Sequence, residues 1–115
     1  MRGALFLYDR DENDVSDART RGALAHQADQ LLRSVASISA NIAEGFGRSS
    51  VADRSRFFGI ALGSLRESFT WYRTVQSSLP SGIVEKRFEQ LTQLRQLLIG
   101  AQKWLSKKPP GTRLY

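Results

Sequence analysis

The chain has 115 residues, the usual size of one domain, and its 41% hydrophobic and 24% charged residues are ordinary for a globular protein. It has no cysteine, which excludes disulfides, thiolate zinc sites, iron–sulfur clusters and a cysteine nucleophile, and its one histidine, His26, leaves only carboxylates as a metal-binding set. The net charge of +6 indicates either a protein that attracts a polyanion, such as nucleic acid or an acidic protein face, or a domain that is basic only for solubility.

The charge is unevenly distributed along the chain. Residues 1–17 hold five acidic and two basic residues, whereas residues 18–115 hold fifteen basic and six acidic ones. Most of the basic residues are arginine, whose planar guanidinium group suits phosphate. No apolar run approaches the ~20 residues of a membrane span, and the first residues lack a signal-peptide pattern. We therefore expect a soluble, cytoplasmic protein without a cofactor.

The first elements in chain order are a short N-terminal segment and a long helix. Residues 4–8 are apolar but too few for an isolated helix, and we expect residues 1–17 to form a stub followed by an acidic loop. From about Ser16 to Glu44, apolar residues recur every three or four positions, which predicts one buried helix face. That face comprises Leu24, Ala28, Leu31, Val35, Ile38 and Ile42.

A second helix is predicted from about Val51 to Ser78, with Ser50 as its N-cap and Asp53 three residues later. It carries two adjacent apolar stripes, so its buried face is wider than one neighbouring helix can cover. We expect it to be the central helix of a bundle or to bury a face in an oligomer. The stripes are Phe57, Ala61, Ser64, Ser68, Trp71 and Val75, and Phe58, Leu62, Leu65, Phe69 and Tyr72.

A third helix is predicted from about Gly82 to Lys107, with Ser81 as its N-cap, and residues 109–115 form a tail. Its buried face would be Val84, Phe88, Leu91, Leu94, Leu98, Ala101 and Leu105. Short links between long helices place them antiparallel. The predicted fold class is therefore all-α, an antiparallel up–down helical bundle with three long helices plus a short N-terminal segment, in a single domain.

One stretch of sequence is more specific than its composition. The run SISANIAEGFGRSS at 37–50 is followed by RF at 56–57 and IALGSLRE at 60–67. This series closely resembles the four-helix-bundle family of bacterial proteins encoded in intervening sequences of 23S ribosomal RNA, whose pattern is roughly SIPxNIAEGxGR followed by RFxxIAxGSLxE. Ser39 stands where that family often has proline. The accessory variability determinants of diversity-generating retroelements are similar to the same family.

The resemblance implies an antiparallel four-helix protomer that assembles into a homo-oligomeric ring, commonly a homopentamer. For the retroelement relatives it implies binding to nucleic acid and to a reverse transcriptase. The intervening-sequence proteins have no established activity, so the family indicates a genetic context more than a reaction.

Two groups of candidate residues lie at the first interhelical turn and on the two helices that it joins. Gly45 and Gly47 can take positive φ at the end of a helix, and the glycine turn with Arg48 is either a structural turn or a phosphate-binding loop. Three further polar residues, Asn41, Glu44 and Glu67, have Arg33 and Arg56 as possible partners. They are either a network that locks the helix hairpin or an acid–amide pair for acid–base chemistry.

Further candidates lie on one face of the second helix and at the end of the third. Arg56, Gly59, Gly63, Arg66, Thr70 and Arg73 recur every three or four residues. This stripe either packs against a neighbouring helix or brings arginines to phosphate groups. The basic residues at the C-terminal end either complement the helix dipole and form a solvated tail or contact phosphate; they are Lys103, Lys107, Lys108 and Arg113. Three aromatic residues could stack on bases but are more typical of a core or subunit interface: Trp71, Tyr72 and Trp104.

From these features we expect a non-enzymatic, oligomeric nucleic-acid-binding or adaptor protein that contacts phosphate backbones electrostatically. The alternative is a structural protein–protein interaction module that docks a partner such as a reverse transcriptase without binding nucleic acid. The candidate nucleic-acid-binding residues are Arg48, Arg56, Arg66, Arg73, Lys103, Lys107 and Lys108.

Overall fold

The computed structural model describes residues 12–17, 25–109 and 111–114, and these residues form four α-helices and no strand. Helix α1 covers residues 12–17, α2 Ala25–Phe46, α3 Val51–Thr74 and α4 Ile83–Ser106, with a 3₁₀ turn at Gln76–Ser78. One isolated antiparallel bridge joins Ser50 and Arg113. The all-α prediction is confirmed.

The three long helices run up, down and up. The segment 47–50 joins α2 to α3, and 75–82 joins α3 to α4. Helix α3 lies in the middle and packs against both neighbours. The Cα atoms span 50 × 21 × 20 Å, and a 24-residue helix is about 36 Å long, so the helices lie along the long axis. The antiparallel bundle predicted from the short links is confirmed, and α3 is the central helix.

The core follows the predicted helix faces. Every described residue of the predicted face of α2 is at most 4% exposed. Helix α3 buries residues of both of its apolar stripes, in agreement with its central position. Helix α4 buries its predicted face, on which Phe88 and Ala101 are partly buried. The most deeply buried large side chains include Leu31, Ile38, Phe58, Leu65, Tyr72, Leu91, Leu98 and Leu105.

Small polar residues line the contact between α2 and α3. Ser68 Oγ donates to Ser34 Oγ at 2.9 Å, and the hydroxyl oxygens of Ser37 and Ser64 lie 2.7 Å apart. Serine is small enough to let two helices approach closely, and each buried hydroxyl here has a partner, so the contact carries no desolvation penalty for an unpaired group.

The N-terminal prediction is wrong where it can be compared. Residues 12–17 form a helix and not a loop, and Asp14 and Val15 are 4% and 3% exposed because both contact the bundle. The apolar stub at 4–8 and Leu24 lie outside the described residues. Helix α2 is described from Ala25 and extends to Phe46, two residues beyond its predicted end.

The link between α3 and α4 also differs from its prediction. Helix α3 ends at Thr74, and the chain continues as the 3₁₀ turn. The N-cap of α4 is Gly82 and not Ser81. Its φ of 85° lies in the left-handed region, which glycine adopts without a steric penalty, and it makes no side-chain capping bond. None of the described helices is long and apolar enough to cross a membrane.

Candidate nucleic-acid interface

The up–down topology brings the C-terminus of α2, the N-terminus of α3 and the C-terminus of α4 to the same end of the bundle. Gln102 Nε2 of α4 donates to the Ser55 carbonyl of α3 at 3.0 Å. The segments 44–57 and 102–114 meet there and together hold seven basic and two acidic residues. We call this region the basic end; its basic residues are Arg48, Arg54, Arg56, Lys103, Lys107, Lys108 and Arg113.

The turn between α2 and α3 is built from backbone hydrogen bonds. The amide of Gly47 donates to the carbonyls of Ala43 and Glu44 at 3.1 Å, and the amide of Arg48 donates to the Gly45 carbonyl at 3.2 Å. These amides are therefore engaged by the end of α2 and do not point at a ligand. The geometry favours the structural interpretation of this turn over a backbone phosphate cradle.

The two glycines of the turn are not needed for positive φ, as the sequence had suggested. Gly82 is the one glycine with positive φ among the described residues. Gly45 is required for another reason: a Cβ there would lie 2.6 Å from a ring carbon of Phe58, which is 1% exposed. Glycine at position 45 thus permits the close approach of α2 and α3.

Arg54 secures the same turn and was not identified from the sequence. Its guanidinium donates to the Arg48 carbonyl at 2.9 Å and to the Phe46 carbonyl at 3.3 Å. The Phe46 carbonyl belongs to the last turn of α2, where backbone acceptors have no helical partner, and the Arg48 carbonyl lies just beyond it. The sequence offers no signal for this role beyond an arginine in the first turn of α3.

Two of the predicted arginines share one aromatic ring. The guanidinium carbons of Arg48 and Arg56 lie 5.0 and 4.4 Å from the ring centroid of Phe57. Such contacts contribute roughly 0.5–1 kcal/mol at exposed sites. Arg48 also donates to Glu44 Oε2 at 3.0 Å, an exposed ion pair that contributes little to stability. The ring restricts both guanidinium groups to one part of the basic end.

The C-terminal tail folds back onto the turn. The amide of Leu114 donates to the Ser49 carbonyl at 2.9 Å, and Arg113 pairs with Ser50 in the isolated bridge. Leu114 packs against the core. The tail therefore adds the exposed Arg113 to the basic end.

The last turns of α4 hold the predicted lysines and one tryptophan. Lys103 and Lys107 are exposed, and Lys108 places its Nζ 4.1 Å from the ring centroid of Trp104. Trp104 itself is 53% exposed. Trp104 therefore lies outside the core of the chain, which leaves a subunit interface or base stacking as its role, whereas Tyr72 is fully buried and Trp71 is partly buried.

Arg66 and Arg73 lie away from the basic end. Arg66 lines an open pocket of about 270 Å³ between α3 and α4, together with Arg95, which the sequence had not singled out. The guanidinium carbon of Arg73 lies 5.4 Å from the ring centroid of Phe88. Five of the seven predicted binding residues thus meet at one end, and these two lie further along α3.

The glycine stripe of α3 is only partly covered by α4. A Cβ on Gly59 would lie 3.4 Å from Gln102 Nε2, so the neighbouring helix does approach there. A Cβ on Gly63 would meet no atom within 4 Å. The contact at Gly59 is an ordinary one with the end of a flexible side chain, so helix packing requires neither glycine, and Gly63 faces open space.

The proposed polar network of Asn41, Glu44 and Glu67 does not form as one cluster. Asn41 Nδ2 donates to the carbonyl of Ser37 at 2.8 Å and to its hydroxyl at 3.1 Å, so it supports the serine contact between α2 and α3. Glu44 pairs with Arg48 instead, and Glu67 is exposed on α3. Within the described part of the chain, no three His, Asp or Glu residues are grouped so as to hold a metal ion.

The fold and the site define an all-helical bundle protein with a strongly basic end. A family model described as 23S rRNA-intervening sequence protein matches residues 17–100, and the chain belongs to this family. It is similar to a solved protein of unknown function from the S23 ribosomal protein family of Bacteroides thetaiotaomicron, with a TM-score of 0.80 and 25% identity over 89% of this chain and 96% of that one. No curated protein matches.

The family match and the basic end overlap only in part. The matched residues include the α2–α3 turn with Arg48, Arg54 and Arg56. They end at residue 100, so the lysines of α4 and Arg113 lie beyond them.

Proposed function

We propose that this protein is a non-enzymatic, oligomeric nucleic-acid-binding adaptor that contacts phosphate backbones through its basic end. The observation that carries the proposal is the convergence of seven basic residues from two distant segments, against two acidic ones, of which Glu44 is already paired with Arg48. Clustered cations at one end of a domain are the electrostatic footprint expected of such a protein.

The expected affinity comes from counterion release. Each phosphate contacted by a lysine or arginine releases condensed counterions, so binding weakens steeply as salt rises. Arg48 and Arg56 are held on Phe57, while the lysines of α4 are long and adaptable. Phosphate contacts position a protein on nucleic acid without reading sequence, so we expect little base preference from this term.

We further propose that the protomers assemble into a homo-oligomeric ring, with a pentamer as the expected form by resemblance to the family. Exposed apolar side chains support an interface: Leu97 is 61% exposed and Ile60 42%. A ring would repeat the basic end once per subunit and raise the affinity for a long polyanion through avidity.

The second candidate function is a protein-docking module, with a reverse transcriptase as the partner by resemblance to the retroelement proteins. The same exposed residues, Leu97 and Ile60, support it, because docking a partner on them would remove their apolar surface from water. In this case the positive charge would serve solubility and steering.

The test is size-exclusion chromatography with light scattering, with and without a structured RNA, at about 50 and 200 mM salt. We expect a mass several times the 12.9 kDa of the chain, a shift with RNA at low salt and release at high salt. An oligomer that ignores RNA at both salt concentrations would favour the protein-docking module. A monomer would contradict the ring.

A further inference from the structure

Trp104 lies on the outer side of the last two turns of α4 and is 53% exposed. Lys107, the C-cap of α4, and Lys108 follow it by three and four residues, the spacing at which side chains neighbour each other on a helix. Lys103 is adjacent in sequence and projects about 100° away around the helix axis. The Lys108 ammonium lies 4.1 Å from the centroid of the indole ring. A half-exposed aromatic ring thus carries one ammonium group on its face, at a helix end that holds two further lysines.

The surroundings of this ring point to one class of ligand. The centres of protein–protein interfaces are depleted in lysine, so a tryptophan on a helix end that carries three lysines does not suit a protein partner. Aromatic rings set among cations are instead typical of proteins that bind single-stranded nucleic acid, in which bases stack on the ring and cations follow the backbone. A base within a duplex has both faces covered by its neighbours and offers no free face to the indole.

We propose that Trp104 is a stacking platform for an unpaired base and that Lys103, Lys107 and Lys108 bind the flanking phosphates, so that the preferred ligand is single-stranded nucleic acid. This proposal rests on the proposed function and adds the class of substrate to it. Lys108 moves from the indole to a phosphate on binding, because an exposed cation–π contact is weaker than base–aromatic stacking.

The chain contains two tryptophans, which makes a direct optical test possible. Trp71 is partly buried, near the C-terminal end of α3, and its ring centroid is 6.2 Å from that of His26. In a Trp71→Phe variant, Trp104 is the sole tryptophan. We expect its fluorescence to be quenched by a 12-nucleotide unstructured oligoribonucleotide or oligodeoxyribonucleotide, and much less by a blunt duplex of the same length.

Binding by Trp104→Ala is then measured by fluorescence anisotropy of labelled oligonucleotides. We expect its affinity for the single strand to fall by about 5- to 140-fold, while the duplex affinity stays within about twofold. Trp104→Phe should retain much of the single-strand affinity, because phenylalanine keeps a stacking surface. Trp71→Phe should bind the single strand with unchanged affinity. Trp104 is half exposed, so its removal leaves the core intact, which far-ultraviolet circular dichroism verifies.

Three results would overturn the proposal. If single strand and duplex both bind and Trp104→Ala changes neither or both equally, stacking is wrong and the electrostatic function stands. If neither binds at about 50 mM salt, the proposed function itself fails. If the Trp104 fluorescence is quenched by raising the protein concentration alone and Trp104→Ala dissociates the oligomer, the indole side chain is buried between copies of the chain and does not stack on bases. Equal affinities for the RNA and the DNA oligonucleotide would support stacking without selection for the 2′-hydroxyl.

Discussion

Arg87 Nε donates to Asp14 Oδ2 across 2.6 Å, although 73 residues separate the two in sequence. Both side chains are buried, 10% and 5% exposed, and the hydroxyl of Tyr72 donates to the same carboxylate oxygen at 2.6 Å. Arg87 also donates from Nη1 to Gln90 Oε1 at 3.2 Å. This cluster ties α1 to α3 and α4 at the end of the bundle opposite the basic end.

Neutralising the carboxylate should destabilise the protein strongly. Asp14→Asn removes the charge that compensates the buried guanidinium of Arg87, and breaking a buried pair on one side costs about 3–5 kcal/mol. That is a large part of the roughly 5–15 kcal/mol that stabilises a typical domain. The free energy of unfolding from urea titration measures the effect.

Asp17→Asn is the matched control, because Asp17 is an exposed aspartate of the same helix. It should change the free energy of unfolding by no more than about 0.5 kcal/mol. Equal effects of the two substitutions would mean that α1 is not held by the buried pair.

Two glycines should respond oppositely to alanine. Gly45→Ala places a methyl group 2.6 Å from the Phe58 ring and should cost about 1–3 kcal/mol of unfolding free energy. Gly63→Ala adds a methyl group that meets no atom within 4 Å, in the interior of α3, and should stabilise the protein by about 0.5–1 kcal/mol. Thermal and urea unfolding of the two variants check the order; the reverse order would contradict the packing of α2 on α3.

The two serines predicted as N-caps should also behave differently. Ser50 Oγ accepts a hydrogen bond from the Asp53 amide at 3.0 Å, so Ser50→Ala should cost about 1 kcal/mol of unfolding free energy. Ser81 is exposed and Gly82 takes the cap position of α4, so Ser81→Ala should have an effect within about 0.5 kcal/mol. Urea titration of the two variants measures both effects. A larger loss of unfolding free energy in Ser81→Ala than in Ser50→Ala would indicate that Ser81 caps α4.

Removing the lysines of the basic end should flatten the salt dependence of binding. In a variant with Lys103, Lys107 and Lys108 changed to Gln, the slope of log K against log salt should fall by about 2–3 in magnitude. The matched control carries Arg33→Gln, Lys86→Gln and Arg95→Gln, three exposed basic residues outside the basic end. Its slope should stay close to that of the unmodified chain, and equal losses in the two variants would mean that net charge alone governs binding.

The three long helices and their buried faces were predictable because helical periodicity is a local property of the sequence. The spacing of Leu31, Val35 and Ile38 on α2, for example, matches residues that are at most 1% exposed. The Ser50 cap and the central position of α3 also followed from local patterns. The α1 helix was missed because its six described residues have no periodicity long enough to detect, and its stability depends on contacts with α3 and α4.

The candidate site was likewise predictable only in part. The sequence by itself determined the helices, the apolar faces and the excess of positive charge, since each depends on residues a few positions apart or on composition. Only the tertiary structure decided that Arg48 and Lys107 share one end of the bundle, that Arg66 does not, and that Asp14 pairs with Arg87. The physical reason is that periodicity determines which face of a helix is buried, whereas the pairing of distant side chains depends on how whole helices pack.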